Sequence, residues 1–264
     1  MIKPFSSSLR RLFRTALVGA IIFLISISSV LSIYANKDSA ISTISKLIPG
    51  SVYGENAAVE NSIWAKKILK GGYILHFRHA ERDKWIDVHM YDILESKFHK
   101  TGDNGTAFAE QKYYKDAVCL NDRGLVQARA MGEVIRKVNL PISKVFTSPS
   151  CRARQTAELA FGGYDSINLL LLHEGAFDED IRVYRETLKR LYQGFPDVPG
   201  KNTVVSAHNS VVNRDMFING KSFSDDFFQL EEGGFYVISK TDTGLKLEHK
   251  YYYFLDFARA NFSR

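Results

Sequence analysis

A chain of 264 residues, 45% of them hydrophobic, can bury one sizeable core, and a single domain of this size is ordinary. The formal net charge is +6, but four of the 35 basic residues lie within residues 1–36, which contain no acidic residue. The rest of the chain is close to neutral and has no basic stripe with interleaved aromatic residues. This pattern excludes nucleic acid as the expected partner.

The N-terminal segment predicts an association with a membrane. Residues 15–36 carry no charge, and at about 1.5 Å per residue they are long enough to span a hydrocarbon core of roughly 30 Å. We therefore expect residues 1–36 to be a membrane anchor, with a cleaved signal peptide or a buried core helix as the alternatives. As an anchor, this segment holds the protein at the membrane facing the periplasm, and as a signal it leads to secretion into the periplasm.

The remaining chain predicts a polar tether at residues 37–57 and a globular domain at residues 58–264. The domain begins with a helical pattern in "ENSIWAKKILKGG", where Ile63, Trp64, Ile68 and Leu69 recur at helical spacing. Strand and helix signals then alternate. The strand-like stretches are "YILHF", "SKVFTS", "INLLLLH", "NTVVSAH", "GFYVISK" and "KLEHKYYYFL". This alternation predicts an α/β fold, a three-layer sandwich in which a mostly parallel central sheet has helices on both faces.

Polar residues follow four of these strand signals. Arg78-His79, Ser148 to Arg152, Glu174 and His208 each come at a predicted strand end. Ligands of open parallel sheets bind beyond the carboxyl ends of the strands, so we expect these residues to share one edge of the sheet.

Two histidines with arginines, and without a carboxylate cluster, suit a phosphate dianion. Guanidinium groups bind phosphoryl oxygens through paired, charge-assisted hydrogen bonds, and a neutral imidazole can attack phosphorus. Fixed cations can stabilise the transferring group, so we expect neither a metal nor another cofactor. The chain contains no HExxH or CxxC motif, which agrees with that expectation.

Four segments in order resemble the histidine phosphatase superfamily, which includes the phosphoglycerate mutases. They are "FRHAE", "LNDRGLVQARAMG", "VFTSPSCRARQTAELAF" and "TVVSAHNS". The resemblance covers roughly residues 70 to 215 and implies a phosphoglycerate mutase-like fold and a phosphoric monoester hydrolase. The anchored pattern "FRHAER" is similar to membrane-anchored or periplasmic members such as the lipopolysaccharide core heptose phosphatases. Phosphorylated small molecules or an envelope glycan or lipid are the substrates that the resemblance implies.

The resemblance also implies residue roles. His79 matches the nucleophile, and Arg78, Arg152 and His208 match the phosphate pocket. Arg82 and Asn209 are candidates for substrate contact, with an ordinary surface position at the mouth of the pocket as the alternative.

Many members protonate the leaving group with a carboxylic acid. Glu174, just past the stretch "INLLLLH", is the candidate for that acid here. Asp178, Glu179 and Asp180 are also near, but as acids in the first turn of a helix they have a sufficient structural role. The position at which another branch of the family has an aspartate, directly after His208, holds Asn209, and some members work without a dedicated acid.

Cys119 and Cys151 are the only cysteines of the chain. Outside the cytoplasm such a pair can oxidise and persist, so the N-terminal segment favours a Cys119–Cys151 disulfide over two buried free thiols. Its loop of roughly 30 residues adds about 3–4 kcal/mol to the free energy of unfolding in the chain-entropy model.

Residues 83–118 show no clear periodicity, and a stretch this long inside a compact domain is commonly functional or disordered. We expect it to cover the pocket and to help select the substrate.

The sequence therefore predicts an extracytoplasmic phosphomonoesterase that works through a phosphohistidine on His79. A phosphoglycerate mutase-like phosphotransferase is one alternative, and a non-catalytic module that binds a phosphorylated ligand is another.

Overall fold

The computed structural model describes residues 55–83, 118–172 and 180–262. The described residues from Asn56 onward belong to one compact unit. Within the described ranges the helices are α1 (Glu55–Ile68), α2 (Asp122–Lys137), α3 (Cys151–Phe161), α4 (Ile181–Gln193) and α5 (Phe254–Ala258). The strands are β1 (Ile74–Arg78), β2 (Ile142–Thr147), β3 (Ser166–Ile167), β4 (Asn202–Ala207), β5 (Phe235–Thr241) and β6 (Gly244–Tyr251).

The predicted anchor or signal at residues 1–36 lies outside the described residues. The predicted tether, residues 37–57, also lies outside them except at its end, where α1 already begins at Glu55.

The six strands form one mixed sheet in the order β3-β2-β4-β1-β5-β6. The pairs β3-β2, β2-β4 and β4-β1 are parallel, whereas β5 runs antiparallel to both of its neighbours. The prediction of a mostly parallel sheet is thus confirmed. The late strands that close the domain introduce the antiparallel part, because a short turn joins β5 to β6.

Helices cover both faces of the sheet, and the residue alternation within the strands shows why. In β4, Val204 belongs to one hydrophobic core and Val205 to the other, as expected for a strand whose side chains point alternately to the two faces. One core contains Leu188 of α4, and the other contains residues of the remaining helices, such as Met131 of α2. The predicted three-layer sandwich is confirmed.

The register of the sheet places the ends of three strands side by side. Arg78 at the end of β1 pairs with Ala207 at the end of β4, and Thr147 at the end of β2 pairs with Ser206. The residues that follow these strands therefore emerge at one edge of the sheet.

One local prediction is wrong. In the described part of "INLLLLH", only Ile167 belongs to a strand, Ser166–Ile167, and a turn of 3-10 helix follows at Leu169–Leu171. The Asn168 side chain starts this turn, because its oxygen accepts a hydrogen bond from the backbone N–H of Leu170 at 2.9 Å. Ile63 of α1 is 49% exposed although it takes part in the helical spacing of the sequence. The buried face of this helix consists of Trp64, Ala65 and Ile68.

Candidate active site

His79 lies just beyond β1 and is 3% exposed. Its backbone N–H donates to the Ala207 carbonyl at 3.0 Å, and its own carbonyl accepts from the Gly233 N–H at 3.1 Å. The ring Nδ1 lies 2.7 Å from the Ala80 carbonyl oxygen. A carbonyl can only accept, so Nδ1 carries the proton and Nε2 keeps its lone pair.

The surroundings of His79 favour its neutral form. Burial lowers the pKa of this imidazole well below its usual value, and the positive charges of Arg152 and Arg78 lower it further. A buried imidazole with a protonated Nδ1 and an unprotonated Nε2 is the form in which histidine acts as a nucleophile.

Arg152 and His208 lie together beside His79. Arg152, in the first turn of α3, is fully buried, and its Nη2 donates to His208 Nδ1 at 3.4 Å. The rings of His79 and His208 have their centroids 5.3 Å apart. Since a guanidinium can only donate, His208 carries its proton on Nε2, where Ser148 Oγ at 3.0 Å and Ser150 Oγ at 3.3 Å accept it.

Arg78 is held by a segment far away in the sequence. Its Nη2 donates to Glu232 Oε1 at 2.9 Å and its Nη1 donates to the Leu230 carbonyl at 2.5 Å. The side chains of Arg78 and Glu232 are 16% and 10% exposed, so this ion pair is largely shielded from water. We refer to Arg78, His79, Arg152 and His208 as the arginine–histidine cluster.

The Cys119–Cys151 disulfide is present, as predicted. It joins the segment before α2 to the first residue of α3, next to Arg152. A second contact ties the same two segments, because Arg152 Nη1 donates to the Val118 carbonyl at 3.4 Å. The position of Arg152 thus depends on a covalent link and on the local fold of α3.

The α2 helix approaches the residues after His79 closely. A Cβ atom at Gly124 would lie 1.9 Å from the Glu81 carbonyl oxygen, so only glycine fits there. The Gln127 side chain of the same helix accepts from the Glu81 N–H at 2.8 Å and donates to the Glu232 carbonyl at 2.7 Å. Gln127 therefore connects the loop after His79 with the segment that holds Arg78.

The other predicted site residues have mixed placements. Arg82 lies close enough for its charge to lower the pKa of His79, and its Nη1 donates to the Asp83 carbonyl at 2.7 Å. Asn209 is turned to the protein, because its side chain exchanges hydrogen bonds with the Leu230 backbone at 2.9 and 3.0 Å. Glu174 lies outside the described residues, as does the stretch 84–117 of the proposed substrate-selecting segment.

Several residues that contact the cluster had no role assigned to them from the sequence. Ser148 and Ser150 belong to the stretch Ser148 to Arg152, which was expected at this edge of the sheet, but their hydrogen bonds to His208 were not predicted. Glu232 carried no signal of its role, because it lies beyond β4 in a stretch without periodicity. His76, in the middle of β1, donates from Nε2 to the His208 carbonyl at 3.1 Å and looked like an ordinary core residue.

A separate cleft of about 450 Å³ lies outside the cluster. It is lined by Arg185 of α4 and by residues of the segments 209–215 and 225–229, and we call it the α4 cleft. None of the four cluster residues lines it. Its wall nevertheless begins with Asn209, the residue directly after His208.

The described ranges contain no group of three or more His, Cys, Asp or Glu side chains that could hold a metal ion. No helix among them is both long and apolar enough to cross a membrane.

Comparison with known proteins identifies a matching family. Residues 108–198 match the model of the histidine phosphatase superfamily (branch 1). The match contains Arg152 and both cysteines. It contains neither His79 nor His208, so it does not depend on the two histidines of the cluster. No curated protein matches the chain in sequence.

Solved structures with a similar fold include phosphatases of low sequence identity. One is the protein histidine phosphatase SixA complexed with tungstate, at 14% identity and a TM-score of 0.43, covering 68% of this chain and 96% of that one. Another is a mutant phosphoserine phosphatase from Entamoeba histolytica in complex with phosphoserine, at 14% identity and a TM-score of 0.38, with 68% and 96% covered.

Proposed function

We propose that this chain, which belongs to the histidine phosphatase superfamily, hydrolyses phosphate monoesters through a phosphohistidine on His79. The observation that carries the proposal is the buried, neutral imidazole of His79, with Nδ1 bonded to a carbonyl and two guanidinium groups close by. Superfamily membership supports phosphatase activity in general. The nucleophile and the class of ester are our proposal.

The proposed reaction has two steps. Arg78 and Arg152 hold the phosphoryl oxygens, and the lone pair of His79 Nε2 attacks phosphorus as the bond to the leaving oxygen breaks. The guanidinium groups stabilise the negative charge on the three equatorial oxygens. Water then attacks the phosphohistidine, which releases inorganic phosphate and restores the imidazole.

The leaving oxygen must gain a proton in the first step. Glu174 remains our candidate for the proton donor. A good leaving group such as p-nitrophenolate needs little help from an acid, so p-nitrophenyl phosphate tests the nucleophile independently of that residue.

The proposal is tested with the purified full chain and p-nitrophenyl phosphate. Turnover is expected to continue in EDTA and to be abolished by His79→Ala, and an alkali-quenched reaction should leave labelled phosphate on His79. His249→Gln is the matched control, because His249 is a partly buried histidine of β6, outside the cluster, whose pKa burial lowers to about 4. Hydrolysis that survives in the His79→Ala variant would refute the proposed nucleophile.

The same assay separates the two alternatives. A phosphotransferase of the mutase type would pass the labelled phosphoryl group to a second alcohol and release little phosphate. A binding module would bind phosphate without turnover and without a labelled His79.

We also propose that the protein acts on the extracytoplasmic side of a membrane, held by residues 1–36 or released after their cleavage. The uncharged stretch 15–36 supports an anchor or a signal. The Cys119–Cys151 disulfide supports an oxidising compartment. On this basis, phosphorylated small molecules or phosphorylated envelope glycans or lipids are the substrates we propose. Fusions of alkaline phosphatase and of a fluorescent protein at residue 40 test the topology. A fluorescent second fusion together with an inactive alkaline phosphatase fusion would contradict export.

A further inference from the structure

We infer that the α4 cleft receives the leaving group of the substrate and that this group is a neutral alcohol carrying several hydroxyl groups. The inference rests on the proposed phosphatase function and adds the class of substrate to it. It follows from the position of the cleft, from the charges on its walls and from the polar groups that face it.

The inner wall of the cleft is built on the same residues that hold the cluster. Asn209, a wall residue, follows His208 directly and donates from Nδ2 to Gln229 Oε1 at 3.3 Å and to the Leu230 carbonyl at 3.0 Å. The Leu230 carbonyl also accepts from Arg78. The cleft therefore begins one residue away from both His208 and the anchor of Arg78, where the part of a substrate beyond its phosphate can extend.

The charges of the cleft are paired with one another. Arg185 Nη1 lies 3.7 Å from Asp215 Oδ2, and Arg214 Nη1 lies 3.3 Å from Asp225 Oδ1. All four residues line the cleft, so its walls carry two positive and two negative charges. A leaving group with a second phosphate or a carboxylate would gain nothing from such balanced walls and would meet the two aspartates.

The remaining wall offers donors, acceptors and an apolar surface. Asn213 and Gln229 add side-chain amides to the lining of the cleft. Hydroxyl groups both donate and accept, so a polyol can use the amides and carboxylates together. Phe228 and Val212 provide apolar surface for the C–H groups of such a molecule. A volume of about 450 Å³ falls within the range of small-molecule sites.

The test compares three esters on the full chain: p-nitrophenyl phosphate, glucose 6-phosphate and fructose 1,6-bisphosphate. Glucose 6-phosphate presents a neutral polyol, and the bisphosphate presents a second anion. We expect a higher kcat/KM for glucose 6-phosphate than for the bisphosphate. The double variant Arg214→Gln with Asp225→Asn removes one ion pair without changing the net charge. It should lower kcat/KM for glucose 6-phosphate about tenfold, the size expected for a lost hydrogen bond to a charged group, and lower kcat/KM for p-nitrophenyl phosphate by much less, because a nitrophenyl group carries no hydroxyl group to bond these side chains.

The matched control removes an exposed ion pair outside the cleft, by Arg136→Gln with Glu133→Gln. This control should change kcat/KM for neither ester. An equal loss for both esters in the cleft variant, or a preference for the bisphosphate, would overturn the inference. If no ester is hydrolysed, the proposed function fails, and the cleft is then tested by binding. Glucose 6-phosphate should raise the Tm of the His79→Ala chain, and the cleft variant should lose that rise. No rise in the His79→Ala chain, or a rise that survives the cleft variant, would also overturn the inference.

Discussion

The two arginines of the arginine–histidine cluster are held in opposite ways. Arg152 is fully buried, and its supports are the N-terminal turn of α3, a disulfide at the preceding residue and the Val118 carbonyl. Arg78 keeps 16% of its side chain exposed and depends on Glu232 and the Leu230 carbonyl, which come from more than 150 residues later.

The two arginines therefore differ in what fixes their positions. Local structure and a covalent link fix the position of Arg152, and its charge is buried in the core. The position of Arg78 is fixed by one ion pair and one carbonyl at the margin of the core. Substitutions on the Arg152 side should therefore change folding and catalysis together, whereas those on the Arg78 side should change catalysis alone.

The largest expected effect is that of Arg152→Lys compared with Arg78→Lys. A lysine keeps the charge but loses the planar fork that binds His208 and the phosphoryl oxygens. We expect kcat/KM for p-nitrophenyl phosphate to fall about 10³-fold for Arg152→Lys, and the free energy of unfolding to fall by about 3 kcal/mol. For Arg78→Lys we expect a fall of about tenfold in kcat/KM with little change in stability. Steady-state kinetics and urea unfolding check both, and equal losses would contradict the comparison.

The next effect is that of breaking the disulfide with Cys119→Ser and Cys151→Ser. The bridge closes a loop with a sequence separation of 32, so its removal should lower the free energy of unfolding by about 3–4 kcal/mol in the chain-entropy model. Because Arg152 adjoins the bridge, kcat/KM should also fall, by about tenfold. Calorimetry and kinetics at a temperature where the variant is folded measure the two effects. Full activity in the folded variant would show that α3 alone positions Arg152.

The same comparison explains what the sequence could predict. The α3 helix is specified locally, because Ser150 caps it, accepting from the Ala153 N–H, and Gly162 ends it in a left-handed conformation. Arg152 therefore stands in a stretch whose structure can be predicted from its own residues. The strand β1 can also be predicted from its own apolar residues. The residues after it are expected at the same sheet edge as Arg152, because the carboxyl ends of parallel strands meet there.

Glu232 could not be predicted in this way. Its segment follows a series of short 3-10 turns between β4 and β5, whose positions depend on packing. The partner of Arg78 is thus determined by tertiary structure. A similar reason accounts for the error at "INLLLLH", where an apolar run suits a strand, but the Asn168 side chain supports a turn.

A smaller effect is expected for Glu232→Gln, with Glu231→Gln as the matched control. The amide keeps the size of the carboxylate but loses its charge, so it holds Arg78 less firmly. We expect KM for p-nitrophenyl phosphate and Ki for inorganic phosphate to rise about fivefold, with kcat nearly constant. This loss of affinity is typical of one hydrogen bond. Glu231 accepts from the Tyr252 hydroxyl at 3.2 Å instead, so its substitution should change neither constant. If Glu232 were the proton donor, kcat would fall and would fall most for alkyl phosphates.

The smallest effects concern the pKa of His79, measured by NMR titration of its ring. Each arginine close to His79 disfavours the imidazolium, so removing a charge should raise the pKa of His79. The rise should decrease in the order Arg152→Gln, Arg78→Gln and Arg82→Gln, which follows the strength of their interactions with the ring.

In all three variants the pKa of His79 should stay below 6.5, because burial remains the main cause of its lowering. The loss of kcat on acidification should move to higher pH in the same order, since activity requires the unprotonated ring. A larger rise for Arg78→Gln than for Arg152→Gln would mean that the partly exposed arginine, and not the buried one, controls the nucleophile.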